Sequence, residues 1–290
     1  MASMNELKSR AAGVKSTKQI THAMYLISAS KSKKAKALLE GSKPFFDRVG
    51  ATMADVLAAG GSDVLESPFI KNGAPAGSRT LCLVLGGDKG MAGGYNNNIM
   101  KFLRDNVDVA AADFLVAGFM GRSRAKQLGL EFDAGFQFPV MSPTLRRARD
   151  ISDIIVERYM ERPYKEVSVV FTTLVSALRQ DPVLLPLLPL RPPAFSRGGG
   201  GVPARTLHTM LFEPSAVEVF GHLAPHYVTG VIYSALVDAS SSEQHARMVA
   251  MDNATQSADE IIATLSLKYN RARQAHITQE ITEIVGGIPT

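Results

Sequence analysis

The chain has a single cysteine among its 290 residues, and this scarcity excludes some classes of architecture. An internal disulfide framework and a zinc site built from cysteines both need more than one thiol. Cys82 lies in the apolar run LCLVL (residues 81–85), where a cysteine behaves as a small hydrophobic residue. We therefore expect Cys82 to be a buried core residue.

Long hydrophobic runs are also missing. No stretch reaches the roughly 18 consecutive apolar residues that a membrane-spanning helix needs. The first residues, MASMNELKSR, lack the apolar core of a secretory signal and the acid-poor leader of an organelle transit peptide. We expect a chain that stays in the compartment where it is made and does not insert into a membrane.

Acidic residues are scarce near the N-terminus. Only Glu6, Glu40 and Asp47 oppose the lysines and arginines of the first fifty residues, and the whole chain carries a net charge of +5. A basic helix attracts nucleic acid, anionic lipid or an acidic protein surface, although a solvated lysine face is the alternative interpretation. The basic residues of this segment are Lys8, Arg10, Lys15, Lys18, Lys31, Lys33, Lys34, Lys36, Lys43 and Arg48.

Recognisable catalytic constellations are absent from the sequence. No Ser-His-Asp, Cys-His or paired-carboxylate arrangement stands out. His222 and His226 have the i,i+4 spacing of two metal ligands on a helix, but Pro225 disturbs that helix and no third ligand follows. Glu280 and Glu283 are interpreted as a solvated or interface edge. We expect no catalytic residue, no metal and no cofactor.

A glycine-rich turn, GGDKGMAGGYN (residues 86–96), follows a predicted strand and precedes a predicted helix. That context suits a phosphate-binding loop, yet the turn matches neither G-x-x-x-x-G-K-[ST] nor a strict G-x-G-x-x-G. A tight turn that needs small residues is the favoured interpretation.

Both ends of the chain are predicted to be helical. Ser3 with Glu6 forms a capping box, and apolar residues then recur on one helix face as Met4, Leu7, Ala11 and Val14, continuing with a small slip as Ile20, Met24 and Ile27. Helical composition runs to about Ala59, with a kink or break expected at Pro44. Such a helix of ~55 residues would span roughly 80 Å.

The C-terminal helix is predicted to start at a second capping box, Ser215 with Glu218, and to be kinked near Pro225. Small or apolar residues recur along it at alternating steps of three and four, which is typical of a helix that packs along its length on a partner helix. This stripe consists of Met248, Met251, Thr255, Ala258, Ile262, Leu265, Tyr269 and Ala272.

The middle of the chain has a different pattern. Short apolar runs at 80–85, 114–117 and 167–172 alternate with helical patterns at 97–105, 121–128 and 142–162, which indicates βαβ units and a parallel sheet. A linker is predicted at 60–78, a flexible loop at 197–203 and an edge strand at 208–213. The predicted fold is α/β: a long antiparallel coiled coil of the N- and C-terminal helices (1–59 and 214–290) with an inserted Rossmann-like domain (78–213).

Several segments resemble the gamma subunit of F-type ATP synthases. The opening of the chain contains VKSTKQITHAM (residues 14–24), and the C-terminal part contains EQHARMVAMDNAT (243–255) and YNRARQAHITQEITEIVGG (269–287). The glycine-rich turn and LVSALRQDPVLLPLLPL (174–190), which resembles the family's link to the last strand, agree as well. The resemblance covers essentially the whole chain in order and points to a bacterial member.

The resemblance implies a mechanical function. In this family the coiled coil is the rotor shaft inside a ring of alpha and beta subunits, and its base is attached to epsilon and to the c-ring of Fo. ATP is made or hydrolysed on the beta subunits, so the implied chain is non-catalytic, peripheral and located on the cytoplasmic side of a bacterial cell membrane. It implies no nucleic-acid partner.

The resemblance also implies which residues contact partners. Arg247, Arg273, Gln274, Thr278 and Glu280 match positions that contact or couple to beta, and Met24 matches a position near the coupling contact. Lys31, Lys33 and Lys34 are expected to face an acidic loop of beta. Two other functions stay open at this point: a nucleotide-binding α/β enzyme with helical arms, and a basic coiled-coil scaffold for nucleic acid.

Overall fold

A computed structural model describes residues 4–71, 73–176, 179–191 and 212–286. The chain separates into two compact units, Met1–Ser30 with Arg247–Thr290, and Lys31–Ala246. In chain order the elements are α1 (Met4–Leu65), β1 (Thr80–Leu85), α2 (Tyr95–Asn106), a short 3-10 turn (Val109–Ala111), β2 (Ala112–Ala117), α3 (Phe119–Gln127), α4 (Leu145–Glu161), β3 (Glu166–Leu174), β4 (Gln180–Leu188) and α5 (Ala216–Gly286).

A four-stranded sheet organises the unit formed by residues 31–246. The strand order is β2-β1-β3-β4; β1 pairs in parallel with β2 and with β3, and β4 pairs antiparallel with β3. Helices connect the parallel strands, as βαβ units require. The predicted Rossmann-like α/β fold and its three parallel strands are confirmed.

The fourth strand was not predicted. β4 contains Pro182 and Pro186, which lack the N–H that a central strand needs and which therefore argue against a strand in sequence reasoning. Among the described residues β4 pairs only with β3, so it lies at an edge of the sheet, where proline is tolerated.

Side chains of β1 alternate between two apolar cores. Leu81, Leu83 and Leu85 are fully buried in the core that also receives residues of α1, α4 and α5. Cys82 and Val84 point to the other core, which α2 and α3 cover. Both faces of the sheet are thus packed, which explains why the parallel strands are continuous apolar runs.

The bounds of the two long helices agree with the prediction in part. α1 is not broken at Pro44; its non-helical residue is Gly61, next to the predicted helix end at about Ala59, and the φ of 56° at Gly61 is unfavourable for residues with a Cβ. α5 likewise continues through Pro225. The predicted linker is shorter because the helix extends to Leu65, and Phe69 within it is buried, with its carbonyl accepting a hydrogen bond from the Leu190 N–H.

The start of α5 is confirmed, since Ser215 Oγ accepts the Glu218 N–H at 3.2 Å. The Ser3 half of the first capping box, the predicted loop at 197–203 and most of the predicted edge strand at 208–213 lie outside the described residues. Phe212 and Glu213, which are described, are not in a strand.

The other unit pairs the ends of α1 and α5 in antiparallel directions. The hydroxyls of Thr21 and Thr255 lie 2.8 Å apart, and Lys18 Nζ is 2.5 Å from Asp259 Oδ1. Because the earlier residue of α1 contacts the later residue of α5, the two helices run antiparallel. All eight residues of the stripe predicted on α5 are buried or half-buried. That stripe is confirmed.

The predicted slip in the α1 stripe is wrong. Ile20 and Ile27 are 58% and 55% exposed. The less exposed positions instead keep the alternating steps of four and three without interruption, although polar residues occupy several of them. They are Leu7, Ala11, Val14, Lys18, Thr21, Tyr25 and Ser28.

Candidate partner-binding surface

The glycine-rich turn after β1 is closed by the chain's own acceptors. Four successive backbone N–H groups, those of residues 86–89, each donate a hydrogen bond. Their acceptors are Ala117 O at 3.1 Å, Asn96 Oδ1 at 2.8 Å, and Oε2 and Oε1 of Glu243, each at 3.1 Å. A phosphate would need these same donors. The turn is therefore structural, as the favoured interpretation predicted.

A second carboxylate ties the turn to its surroundings. Asp88 Oδ1 accepts from the Phe119 N–H at the start of α3 (3.2 Å), and Oδ2 accepts from the N–H groups of Val140 (2.8 Å) and Met141. This carboxylate occupies the helix N-terminus, the position at which an anion is favoured. The N–H groups of residues 86–89 and the N-terminus of α3 are thus all occupied by acceptors of the chain itself.

Glu243 was missed in sequence reasoning. It is fully buried on α5, directly after three buried serines at 240–242. The sequence did contain a signal for this buried site. Glu243 is a charged residue in the middle of a helix, and the small residues before it let neighbouring elements approach closely. The full burial of a glutamate implies partners, and the turn supplies them.

The other candidate sites in the sequence were Cys82 and the histidine pair His222 and His226. Burial raises the pKa of the Cys82 thiol to about 12, despite an opposing hydrogen bond from Ser168, so the thiol is an unreactive core group. His222 and His226 are exposed. No cluster of three or more His, Cys, Asp or Glu suited to a metal exists in the described part of the chain.

The α1 residues assigned to partner contact lie outside the helix seam. Lys31, Lys33 and Lys34 are exposed, and they belong to the unit of residues 31–246. Met24 is half-buried in the other unit, between the exposed Ile20 and Ile27 at helical spacing. Ile20, Met24 and Ile27 therefore form an outward-facing apolar strip, where the sequence had suggested a continuation of the seam.

The end of α5 extends past its partner helix. The register set by Thr21–Thr255 places Met4, where α1 begins, opposite about residue 272 at 1.5 Å per residue. From residue 273 to residue 282 every side chain is exposed. We call residues 273–282 the α5 extension.

Four of the predicted contact residues lie on the α5 extension. Arg273 and Glu280 share one face, where Glu280 Oε1 is 3.3 Å from His276 Nδ1. Gln274 and Thr278 share the adjacent face at i,i+4, and the Thr278 hydroxyl donates to the Gln274 carbonyl at 2.9 Å. The structure thus brings these four together on the α5 extension, which has no partner helix in the part of the chain that the structure describes.

Arg247 differs from the other predicted contact residues. Only 3% of it is exposed, so its guanidinium belongs to the packed part of α5 and not to an open face. In this chain by itself, Arg247 is not available in the way that Arg273 is.

The geometry defines a class: a Rossmann-like α/β body inserted between two helices that pair antiparallel, with one helix extending beyond the pair. The family model described as ATP synthase matches residues 3–289. A relative named ATP synthase gamma chain, from Ruminiclostridium cellulolyticum, is 44% identical over 289 residues, 98% of this chain and 97% of the relative. The chain belongs to this family, the gamma chains of ATP synthase.

Other relatives support the same membership. The gamma chain of Acetivibrio thermocellus is 38% identical over 99% of this chain and 98% of its own length. A chain from Acetobacterium woodii, named as sodium ion specific, is 31% identical over 98% of this chain and 97% of its own length. These relatives carry the name of the gamma chain, which is the non-catalytic stalk subunit.

Solved structures agree on the fold. A Euglena gracilis mitochondrial ATP synthase chain superposes with a TM-score of 0.66 at 15% identity, covering 98% of this chain and 92% of that one. A chain of the Tetrahymena thermophila central stalk and c-ring structure gives 0.59 at 23% identity, covering 81% of this chain and 99% of that one. In the described residues no helix is long and apolar enough to cross a membrane.

Proposed function

We propose that the chain is the central rotor shaft of an ATP synthase, turning within a ring of alternating alpha and beta subunits. Its base would be held by epsilon and by the c-ring of Fo. The observation that carries this proposal is membership of the gamma family over residues 3–289, together with the antiparallel helix pair and its extension. Neighbouring folds come from structures described as rotor and central stalk.

The proposed mechanism is mechanical. Ion flow turns the c-ring and the shaft with it, and the asymmetric surface of the shaft drives each beta subunit in turn through its conformations. Two paired helices resist twisting better than one, because seam contacts such as Thr21–Thr255 couple them. Bond making and breaking in ATP stay on beta, so the shaft contributes contact surfaces.

Partner contact is assigned to residues of both long helices, most of them exposed. On α1 these are Met24, Lys31, Lys33 and Lys34; on α5 they are Arg247, Arg273, Gln274, Thr278 and Glu280. An exposed ion pair is worth only ~0.2–1 kcal/mol, so many weak contacts can push without holding the shaft in one position. For Arg247 the proposal requires the ring to reach a buried side chain, which makes it the weakest member of the set.

The proposed assembly implies a location for the chain. We infer a peripheral position on the cytoplasmic side of a bacterial cell membrane, through the c-ring and without insertion of this chain. Residues 1–59 and 214–290 would act as the shaft, and residues 78–213 as its base.

Reconstitution tests the proposal. ATPase activity is measured from alpha and beta subunits with and without this chain, and rotation is followed with a bead on a cysteine at the exposed Lys101, after Cys82 is replaced by alanine. We expect activity that depends on the chain and unidirectional bead rotation. Full assembly and turnover without the chain, and no rotation with it, would overturn the proposal.

A further inference from the structure

We propose that residues 239–243 of α5 form a torque joint, in which Glu243 and two neighbouring contacts lock the rotational position of α5 on the α/β body. The inference rests on the proposed rotor function and adds to it the residues through which the α/β body holds α5. It follows from hydrogen bonds that converge on this short segment within the unit of residues 31–246.

Apolar packing alone does not fix a helix against rotation. Val228, Ile232 and Leu236 bury one side of α5 in the core beside the sheet, but hydrophobic contact is non-directional. At about 100° per residue, side chains four positions apart differ in direction by only about 40°, so a rotation of that size can replace one apolar side chain by another. Resisting such rotation requires bonds whose direction matters.

Directional bonds reach the segment from two different parts of the α/β body. From the glycine-rich turn and α2, Glu243 accepts two successive backbone N–H groups at 3.1 Å, and the Tyr95 hydroxyl donates to the Ala239 carbonyl at 3.0 Å. From β4, Gln180 Nε2 donates to the Ser242 carbonyl at 2.9 Å. Rotation of α5 in either direction would break at least one group of these bonds.

The glycine-rich turn that binds Glu243 is itself attached to strand β1 and to neighbouring segments. The turn continues directly from β1, and Asp88 fastens it to α3 and to the segment at Val140. Gly86 and Gly121 approach so closely that a Cβ on Gly121 would lie 2.7 Å from Gly86 Cα. Torque that enters the sheet thus reaches Glu243 through backbone contacts and short polar bonds.

The main test uses Glu243→Ala in the complete membrane-bound complex. Because both acceptor oxygens are lost, we expect the ratio of ions pumped to ATP hydrolysed to fall at least about threefold, since each of the two lost hydrogen bonds to a charged group is worth more than that factor. Unloaded hydrolysis should change much less. Glu260→Gln, at an exposed site on the same helix, is the matched control and should keep the wild-type ratio.

This ratio separates a torque joint from a merely structural contact. A variant that only assembles poorly lowers hydrolysis and pumping together and leaves their ratio unchanged. Hydrogen exchange on the isolated chain provides a direct check, since the amides of Asp88 and Lys89 should lose protection in Glu243→Ala. If Glu243→Ala does not assemble, Tyr95→Phe combined with Gln180→Met removes the other donors and should lower the ratio in the same direction.

Failure of the joint is distinguishable from failure of the rotor proposal. If the wild-type chain supports rotation and pumping but the assembled variants keep the wild-type ratio, the joint is wrong and the rotor proposal stands. If the wild-type chain itself supports no rotation, the rotor proposal is wrong.

Discussion

At the level of single residues, one half-buried carboxyl group makes stability depend on pH. Burial raises the pKa of Asp238 on α5 from 3.8 to about 6. Between these values the folded chain keeps a proton that the unfolded chain has lost, so stability falls as the pH rises from about 4 through about 6. Above that range the charged carboxylate remains a cost.

Asp238→Asn should remove this cost. We expect the free energy of unfolding to rise by up to about 3 kcal/mol at about pH 7.5 and to change little near pH 3, where the acid is mostly protonated in both states. Denaturant unfolding of the isolated chain at both pH values measures it. Asp150→Asn, at an exposed position on α4, is the control; an equal gain at both pH values would refute the assignment.

Two helical glycines should respond in opposite directions to the same substitution. A Cβ at Gly121 in α3 would lie 2.7 Å from Gly86 Cα, whereas one at Gly13 in α1 would meet no atom within 4 Å. We expect Gly121→Ala to lower the free energy of unfolding by about 2 kcal/mol through overpacking. Gly13→Ala should raise it by up to about 1 kcal/mol, because alanine favours helix. Thermal or denaturant unfolding of both variants decides, and similar effects would contradict the close-approach argument.

Among the secondary-structure elements, sequence periodicity predicted the α5 seam and the first part of the α1 seam, through Val14, but not the rest of the α1 seam. The α5 stripe was found because most of its residues are apolar or small. The α1 stripe was misassigned because Lys18, Thr21 and Ser28 occupy seam positions, while Ile20 and Ile27 face outward. The polar seam is satisfied across the pair, by Asp259 for Lys18 and by Thr255 for Thr21, and such partners are invisible in a single helix.

Prolines protect the edge strand β4 from pairing with other strands. Alternate residues of a strand direct their backbone groups to the same side, so Pro182, Leu184 and Pro186 share one side of β4. Because proline has no N–H to donate to β3, we infer that this is the side away from β3, which has no partner strand among the described residues. Of these three residues only Leu184 offers an N–H. The edge is therefore a poor template for another strand.

Restoring those donors should promote self-association. We expect Pro182→Val with Pro186→Val to form dimers or larger species at lower concentration than the wild type, as measured by sedimentation velocity over a concentration series. Pro75→Val, at an exposed loop position, should behave like the wild type. A double variant that stays as monomeric as the control would show that the prolines do not protect this edge.

For the whole molecule, the α5 extension is the segment in which side chains can be changed without disturbing the packing of the chain itself, because all of them are exposed. Arg273→Ala combined with Gln274→Ala should lower coupled turnover several-fold while the complex still assembles, because both side chains are exposed. Pumping and hydrolysis by purified complexes measure this, and subunit stoichiometry confirms assembly. Lys268→Ala, exposed on the paired part of α5, is a suitable control. Normal turnover and pumping in the double variant would refute the contact assignment.

The parallel strands, the two terminal helices and the family were predictable from sequence because each depends on local pattern or on motifs. The closure of the glycine-rich turn by Glu243 was not predictable, since its partners lie 154 and 155 residues away along the chain. The buried state of Arg247 was also not predictable, because a motif match does not report how much of a side chain its own chain covers.

The carboxylate at the glycine-rich turn acts as a built-in ligand. A diffusing phosphate binds in proportion to its concentration, but a covalently tethered group is present at a high effective concentration that never changes. Glu243 therefore keeps the turn filled whatever the nucleotide level around it. In an assembly where ATP and ADP rise and fall, the geometry of this part of the chain is insensitive to the molecules that the machine processes.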